Sequence, residues 1–185
     1  MELDLKKINL REVNDKLQNL DRKQNLRDFT IINPEGNHAI CAGLTEDMNV
    51  SIKGHASSAA GATAHGGLLI IDGDASSRCG ISMKGVDIVV KGSVGHMSGF
   101  MSQSGNLVVC GDAGEALGDS LYETNIYIKG DVKSLGADCV EKKMDKNHIK
   151  KLNKFLKEAD IKNLKAENFK RYGSARKLYN FKVDN

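Results

Sequence analysis

Apolar and polar residues alternate in short stretches through the middle of the chain, and these stretches recur every 19 residues. Two apolar columns keep this period: Val50, Leu69, Ile88, Leu107 and Ile126 form the first, and Ile52, Ile71, Val90, Val109 and Ile128 form the second. The alternation predicts strands whose two columns are buried and whose intervening residues face outward. A period near 20 residues predicts a solenoid, in which each strand stacks on the strand one period away.

Glycine marks the turns of this repeat in two columns. Gly54, Gly73, Gly92, Gly111 and Gly130 follow the strands, and Gly61, Gly80, Gly99 and Gly118 form a second column. We interpret both columns as structural turn glycines, because glycine permits positive φ angles and close backbone approach. The predicted fold is therefore all-β, a single-stranded parallel β-helix with about 19 residues per coil.

The repeat and its flanks predict three regions. Residues 42–140 form the β-helix, residues 1–41 an N-terminal helix and cap, and residues 141–185 a helical, basic C-terminal tail. Helical spacing of apolar residues, with Asn9 and Asp145 as N-caps, supports both helices. Between them, residues 27–44 predict a strand, a turn and a second strand. Both flanks are expected to cap the ends of the rod, because a solenoid exposes unpaired edges there.

Charge is distributed unevenly around a net value of +3. Residues 42–140 hold six basic and eleven acidic residues, a net −5, whereas residues 141–185 hold fourteen basic and six acidic ones, a net +8. The basic tail suits an acidic protein surface or nucleic acid, or it is a solvated helix face. No apolar run of membrane-spanning length and no signal sequence is evident, so we expect a cytoplasmic protein that does not contact membranes.

The candidate reactive groups have simpler structural interpretations. Asp112 and Asp131 lie one coil apart, and we expect them to cap backbone N–H groups, with a cation or proton-sharing pair as the alternative. His65 and His96 occupy glycine-rich corners and lack a third metal ligand. The cysteines form no CxxC pair, and Cys41 and Cys79 are predicted two coils apart in one column, beyond disulfide reach. The sequence predicts no catalytic residue, no bound cofactor and no metal.

Several motifs carry a resemblance to a known family: GATAHGG, RCGISMKG, CGDAGEALGDS and RYGSARKLYNF. The chain resembles the stand-alone β-helix subunits related to the C-terminal GXGXG domain of the glutamate synthase large subunit. Among these subunits it resembles the β-helix subunit of N-methylglutamate synthase, also called methylamine–glutamate N-methyltransferase. Formylmethanofuran dehydrogenase contains a subunit of the same fold.

The resemblance implies a right-handed β-helix that acts as a non-catalytic structural subunit of a cytoplasmic hetero-oligomer. The implied partners are a glutamine-amidotransferase-like subunit and a glutamate synthase-like subunit that carries FMN and an iron–sulfur cluster. An archaeal-type split glutamate synthase and formylmethanofuran dehydrogenase are alternative assemblies. The aromatic and basic residues near the C-terminus are the predicted partner interface: Phe169, Arg171, Tyr172, Arg176, Tyr179 and Phe181.

Two other classes of function stay open at this point. One is a free-standing β-helix enzyme, such as a hexapeptide-repeat transferase or a carbonic anhydrase of that fold. Hexapeptide repeats give coils of about 18 residues, and the period here is 19. The other is nucleic-acid binding by the basic tail, although we expect no nucleic-acid partner.

Overall fold

The computed structural model describes residues 1–20 and 26–176. Its elements in chain order are β1 (Glu2–Asp4), α1 (Leu10–Gln18), β2 (Asp28–Ile32), β3 (Asn49–Lys53), β4 (Leu68–Ile71), β5 (Lys84–Val90), β6 (Ser104–Val109), β7 (Asn125–Ile128), β8 (Cys139–Lys142), α2 (Lys146–Glu158), a short 3₁₀ helix (Ala166–Asn168) and β9 (Lys170–Ser174). All nine strands belong to one sheet in the order β1-β2-β3-β4-β5-β6-β7-β9-β8.

The parallel β-helix predicted from the repeat is confirmed. Strands β1 to β7 pair in parallel, and from β3 to β7 the aligned residues are 19 apart, as in Val50↔Leu69 and Leu69↔Ile88. The exception is the pair Lys84↔Ser104 at an irregularity at the start of β5. Both predicted apolar columns are buried in the interior of the rod. A second, shorter ladder of parallel bridges joins the small residues Ala56, Ala75, Val94, Ala113 and Val132. These small side chains allow the chain to turn tightly between the two ladders.

The second glycine column lies at a corner with a left-handed backbone. Gly99 has a φ of +72°, and a Cβ there would lie 2.8 Å from Ile126 Cδ1 in the core. The corner therefore needs both the glycine conformation and the absence of a side chain. In the first coil Cys41 takes this place with a φ of +58°.

The alignment of Cys41 corrects the predicted cysteine column. Gly61 N donates to Ile40 O, and Gly80 N donates to Ala60 O. Cys79 is therefore aligned with Ala60 and Ile40, whereas Cys41 is aligned with the glycines. The reason is a longer first coil, in which Phe29 of β2 pairs with Val50 of β3, 21 residues later.

The first glycine column has a different role. Gly92 is outside the left-handed region, but a Cβ there would collide with the Asp74 carboxylate of the preceding coil and lie 3.0 Å from Asp74 N. That carboxylate accepts a hydrogen bond from Ser93 N at 2.8 Å. Glycine at this position therefore makes room for a side chain that bonds the backbone of the next coil.

The N-terminal segment does more than cap the rod. Helix α1 covers the end of the core with Val13 and Leu17, which are both buried. Asn14 donates to Ala39 O and accepts from Cys41 N at 2.9 Å each, and Gln18 donates to Ala42 O at 2.7 Å. These side chains form hydrogen bonds with backbone groups of the first corner, which have no preceding coil to bond. The interval 1–41 also contributes β1 and β2 to the sheet, so the sheet begins before the predicted boundary at residue 42.

The predicted second strand within residues 27–44 is wrong. After β2 the chain forms turns, and Ala39 and Cys41 have positive φ angles. Left-handed residues interrupt a strand, and here they begin the same corner that later coils repeat.

The C-terminal segment contains the predicted helix α2, with Asp145 as its N-cap, and adds two strands. The chain leaves β8, crosses the outer face of the sheet as α2, and returns as β9 between β7 and β8 with antiparallel pairing on both sides. Leu152, Phe155 and Leu156 of α2 are buried against outward-facing strand residues of the sheet: Ile70, Val89, Val108 and Tyr127. The outer sheet face is therefore a second apolar core.

We expect Gly99→Ala to lower the free energy of unfolding by about 2–5 kcal/mol, measured by urea denaturation. A left-handed alanine costs roughly 1–2 kcal/mol, and overpacking of the core adds about 1–3 kcal/mol. Gly36→Ala is the matched control, because Gly36 has a φ of +73° and nothing within 4 Å of an added Cβ. Equal losses in the two variants would show that the core does not require the missing side chain.

We expect the effects of Gly92→Ala and Asp74→Ala to be non-additive. Asp74→Ala removes the acceptor of Ser93 N–H and costs roughly 0.5–1.5 kcal/mol. It also removes the carboxylate that an alanine at position 92 would strike, so Gly92→Ala should cost about 1 kcal/mol less in this background. A double-mutant cycle in urea measures the coupling, and additive losses would contradict the packing described above.

Candidate interaction surfaces

The residues after the first glycine column form a hydrogen-bonded ladder. His55 Nδ1 accepts from Asp74 N at 2.9 Å, Ser93 Oγ accepts from Asp112 N at 2.9 Å, and Asp112 Oδ1 accepts from Asp131 N at 2.8 Å. The expectation that these carboxylates cap backbone N–H groups is confirmed for Asp112, and the N–H group belongs to the next coil. One carboxylate oxygen of Asp112 is thus occupied by a hydrogen bond that joins two coils.

The histidine corners provide no metal centre in the described parts of the chain. His65 and His96 are both exposed. Within residues 1–20 and 26–176, no group of three or more histidine, cysteine or acidic side chains is placed to hold a metal ion.

The four cysteines are free thiols. Burial raises the pKa of Cys41 far above its usual value and that of Cys79 to about 12. Burial also raises the pKa of Cys110 and of Cys139 to about 11 each. The thiolate is the nucleophilic form, so none of these groups is activated near neutral pH.

Charged residues on the outer sheet face are paired between coils. Lys53 Nζ and Lys91 Nζ lie 2.8 Å from the two carboxylate oxygens of Asp72. Burial alone would raise the pKa of Asp72, but the hydrogen bonds and charges of the two lysines lower it below its usual value. This column of Lys, Asp and Lys therefore stabilises the stack of coils.

A polar column runs beside the buried apolar residues under α2. Asn106 donates to Asp87 Oδ1 at 2.5 Å, and Arg171 Nη1 donates to Asn125 Oδ1 at 2.8 Å. Burial raises the pKa of Asp87, and the Asn106 hydrogen bond and the charges of Lys151 and Lys154 partly oppose this rise. Asp87 faces a groove of about 500 Å³ between α2 and the starts of β3, β4 and β5.

The predicted partner interface is mostly used inside the chain. Phe169 and Tyr172 are only 4% and 5% exposed, because they complete the outer and inner cores. Arg171 also donates to Lys143 O. These placements correct the prediction for Phe169 and Tyr172, since their rings are not accessible to a partner.

The remaining predicted interface residues fall into two groups. Arg176 is exposed and forms an ion pair with Asp138 of the last coil. Tyr179 and Phe181 lie outside the described residues.

The accessible surface of the described chain offers two distinctive regions. The exposed side of α2 carries Lys146, Lys150, Lys154 and Lys157. The C-terminal end of the rod exposes Leu135 and Val140, which are 38% and 36% accessible.

The sequence predicted a basic tail but missed that α2 lies on the sheet. The apolar outward column Ile70, Val89, Val108 and Tyr127 was the available signal, because an exposed strand face is usually polar.

Comparisons with known proteins place the chain in a family. Residues 42–182 match the family model described as GXGXG motif. A 54-residue segment is 63% identical to Protein GlxC of Rhizobium meliloti (strain 1021), which corresponds to 29% of this chain and 24% of GlxC. The match thus spans about a quarter of that relative.

No solved structure matches the chain. No helix in the described residues is long and apolar enough to cross a membrane. The GXGXG model covers more than half of the sequence and includes every coil from β3 to β7, so the chain belongs to the GXGXG motif family.

Proposed function

We propose that this protein is a non-catalytic structural subunit of a glutamate synthase-like hetero-oligomeric enzyme. The observation that carries the proposal is the GXGXG match across the coils, which agrees with the resemblance to glutamate synthase-related subunits. The surroundings of the potentially reactive side chains also support a non-catalytic role. The ladder carboxylates accept backbone hydrogen bonds, and burial holds the thiols in their protonated form.

The specific assembly we propose is N-methylglutamate synthase, which forms N-methylglutamate and ammonia from glutamate and methylamine. In this assembly FMN and the iron–sulfur cluster belong to a glutamate synthase-like partner subunit, and a glutamine-amidotransferase-like subunit completes the complex. The motifs RCGISMKG and CGDAGEALGDS support this assignment through their resemblance to the β-helix subunit of that enzyme. A split glutamate synthase is the second candidate, favoured by the same GXGXG match.

The rigid rod suits a scaffold. Its coils are joined by continuous backbone hydrogen bonds, and α2 packs across β4, β5, β6 and β7 on the outer face. A partner that binds this surface is held in a fixed orientation, because close-packed protein interiors deform little. The coil length of 19 residues also argues against a hexapeptide-repeat transferase, whose coils have about 18 residues.

We expect the purified chain alone to form no N-methylglutamate from glutamate and methylamine. Combined with the flavin-binding and amidotransferase-like subunits, it should restore turnover that is absent or much lower when this chain is omitted. Product formation is measured by mass spectrometry. A parallel assay supplies glutamine, 2-oxoglutarate and a reductant, the reactants of a glutamate synthase, and follows the consumption of 2-oxoglutarate.

The outcomes separate the parts of the proposal. Turnover by the isolated chain would overturn the non-catalytic role. Reductant-dependent consumption of 2-oxoglutarate with glutamine, without N-methylglutamate from glutamate and methylamine, would replace N-methylglutamate synthase by a glutamate synthase. Failure of the chain to associate with either subunit would overturn the structural role itself.

A further inference from the structure

The groove between α2 and the sheet has the size of a small-molecule site. Its volume is about 500 Å³, and pockets for small ligands span roughly 300–1,000 Å³. Asn49, Leu68 and Asp87 line it on the sheet side, and Lys154 and Phe155 line it on the helix side. The groove therefore offers apolar and charged contacts together, in a space that suits a metabolite.

Asp87 is a half-buried carboxylate in this groove, and the chain leaves its charge without a close counterion. In the described chain Asn106 is its one hydrogen-bonding residue, with Nδ2 donating to Oδ1 at 2.5 Å. No lysine or arginine of the described residues lies within 4.0 Å of it, whereas Asp72 is held between Lys53 and Lys91 at 2.8 Å each. Burial of a charge without a close partner is costly, and such groups are candidates for ligand binding.

A β-bulge interrupts the coil repeat just before Asp87. Lys84 is aligned with Ser104, 20 positions later, whereas Asp87 is aligned with Asn106, 19 positions later. Gly85 within this irregularity has a φ of +129°, and a Cβ there would collide with the backbone of the preceding coil. Bulges are frequent beside functional sites, where they re-aim a side chain. The regular stacking of coils is thus broken at the groove.

Two cations line the same groove at different distances from Asp87. The charge of Lys154 partly opposes the rise in the pKa of Asp87, so these two groups are close to each other. Arg27 precedes β2, which is three strand spacings from β5, or about 14 Å. Among the described residues Arg27 forms no ion pair, and its guanidinium donates one long hydrogen bond of 3.4 Å to Leu26 O.

We propose that this groove binds a zwitterionic α-amino acid whose side chain ends in an oxygen acceptor. Asp87 accepts hydrogen bonds from the ligand ammonium, and Lys154 pairs with the adjacent α-carboxylate. Arg27 donates to the oxygen at the far end of the ligand side chain, since guanidinium groups bind such acceptors well. The inference concerns a site on this chain and is independent of the proposed function.

The arrangement of charges disfavours simpler ligands. A plain amine would leave Arg27 and Lys154 unpaired, and a plain carboxylate or phosphate would leave Asp87 unpaired, so each would bind less well than a ligand with both charges. A metal ion is disfavoured, because within residues 1–20 and 26–176 no group of three or more histidine, cysteine or acidic side chains is placed to hold one. Leu68 and Phe155 provide apolar contacts for the methylene groups of an amino acid.

The test is a titration of the full-length ¹⁵N-labelled chain with L-glutamine and L-glutamate, followed by two-dimensional NMR. The amides of Gly67 and Gly85 line the groove and report binding there. N-acetyl-L-glutamine lacks the ammonium, L-glutamine amide lacks the α-carboxylate, and L-norvaline lacks the side-chain acceptor. These analogues test each contact on the wild-type chain, so the result does not depend on the folding of any variant.

Two variants assign the contacts to residues of the chain. D87N removes the charge but keeps an oxygen that can accept from Asn106, and R27Q removes the guanidinium. D131N and R78Q are the matched controls, because they make the same changes at exposed residues that do not line the groove. Thermal unfolding shows whether each variant is folded.

We expect saturable shifts at Gly67 and Gly85 with L-glutamine or L-glutamate, and dissociation constants at least about tenfold higher for D87N and for both analogues that lack a charge. R27Q should remove the preference for these two ligands over L-norvaline, and the controls should bind as the wild type does. Absence of saturable shifts with both amino acids would overturn the inference. Unchanged affinity in D87N or for N-acetyl-L-glutamine would also overturn it. Neither result affects association with the partner subunits, so the proposed function is tested separately.

Discussion

Backbone hydrogen bonding between successive coils is the constraint on which the rest of this structure depends. Each coil must repeat the path of its neighbour, because its N–H and C=O groups pair with residues about 19 positions away. At Gly99 this path requires a left-handed residue without a side chain, and at Gly92 it requires space for the carboxylate of the preceding coil. The glycine columns are therefore consequences of stacking, and each column meets a different steric requirement.

The sequence predicted the parts of the fold that this constraint repeats. The apolar columns and the two helices with their caps follow from local spacing. The first coil was misaligned because it is longer, so that Phe29 and Val50 fall outside the 19-residue frame. The insertion of β9 between β7 and β8 was not predictable, because that pairing joins segments that share no repeated pattern.

The predictions for the candidate functional residues also succeed inside the repeat and fail outside it. The prediction that the Asp112 side chain accepts a backbone hydrogen bond is correct, because the repeat defines the surroundings of this residue. It placed Phe169 and Tyr172 at a partner interface, because aromatic residues in a non-repeating segment are equally suited to cover an open sheet face and to bind another protein. Only the three-dimensional path of the tail distinguishes these uses, and here the tail covers the sheet.

The same constraint separates the coils from the region available for recognition. A side chain inside the repeat touches the preceding and following coils, so a change at Asp74 or Gly92 alters stacking on both sides. Helix α2 contacts the sheet through one face only, and its opposite face is free of such coupling in the described structure. Substitution of Lys150 or Lys157 should therefore leave the rod intact, because exposed helix positions contribute little to packing. In this solenoid, the outer face of the covering helix can therefore change without changing the stacking of the coils.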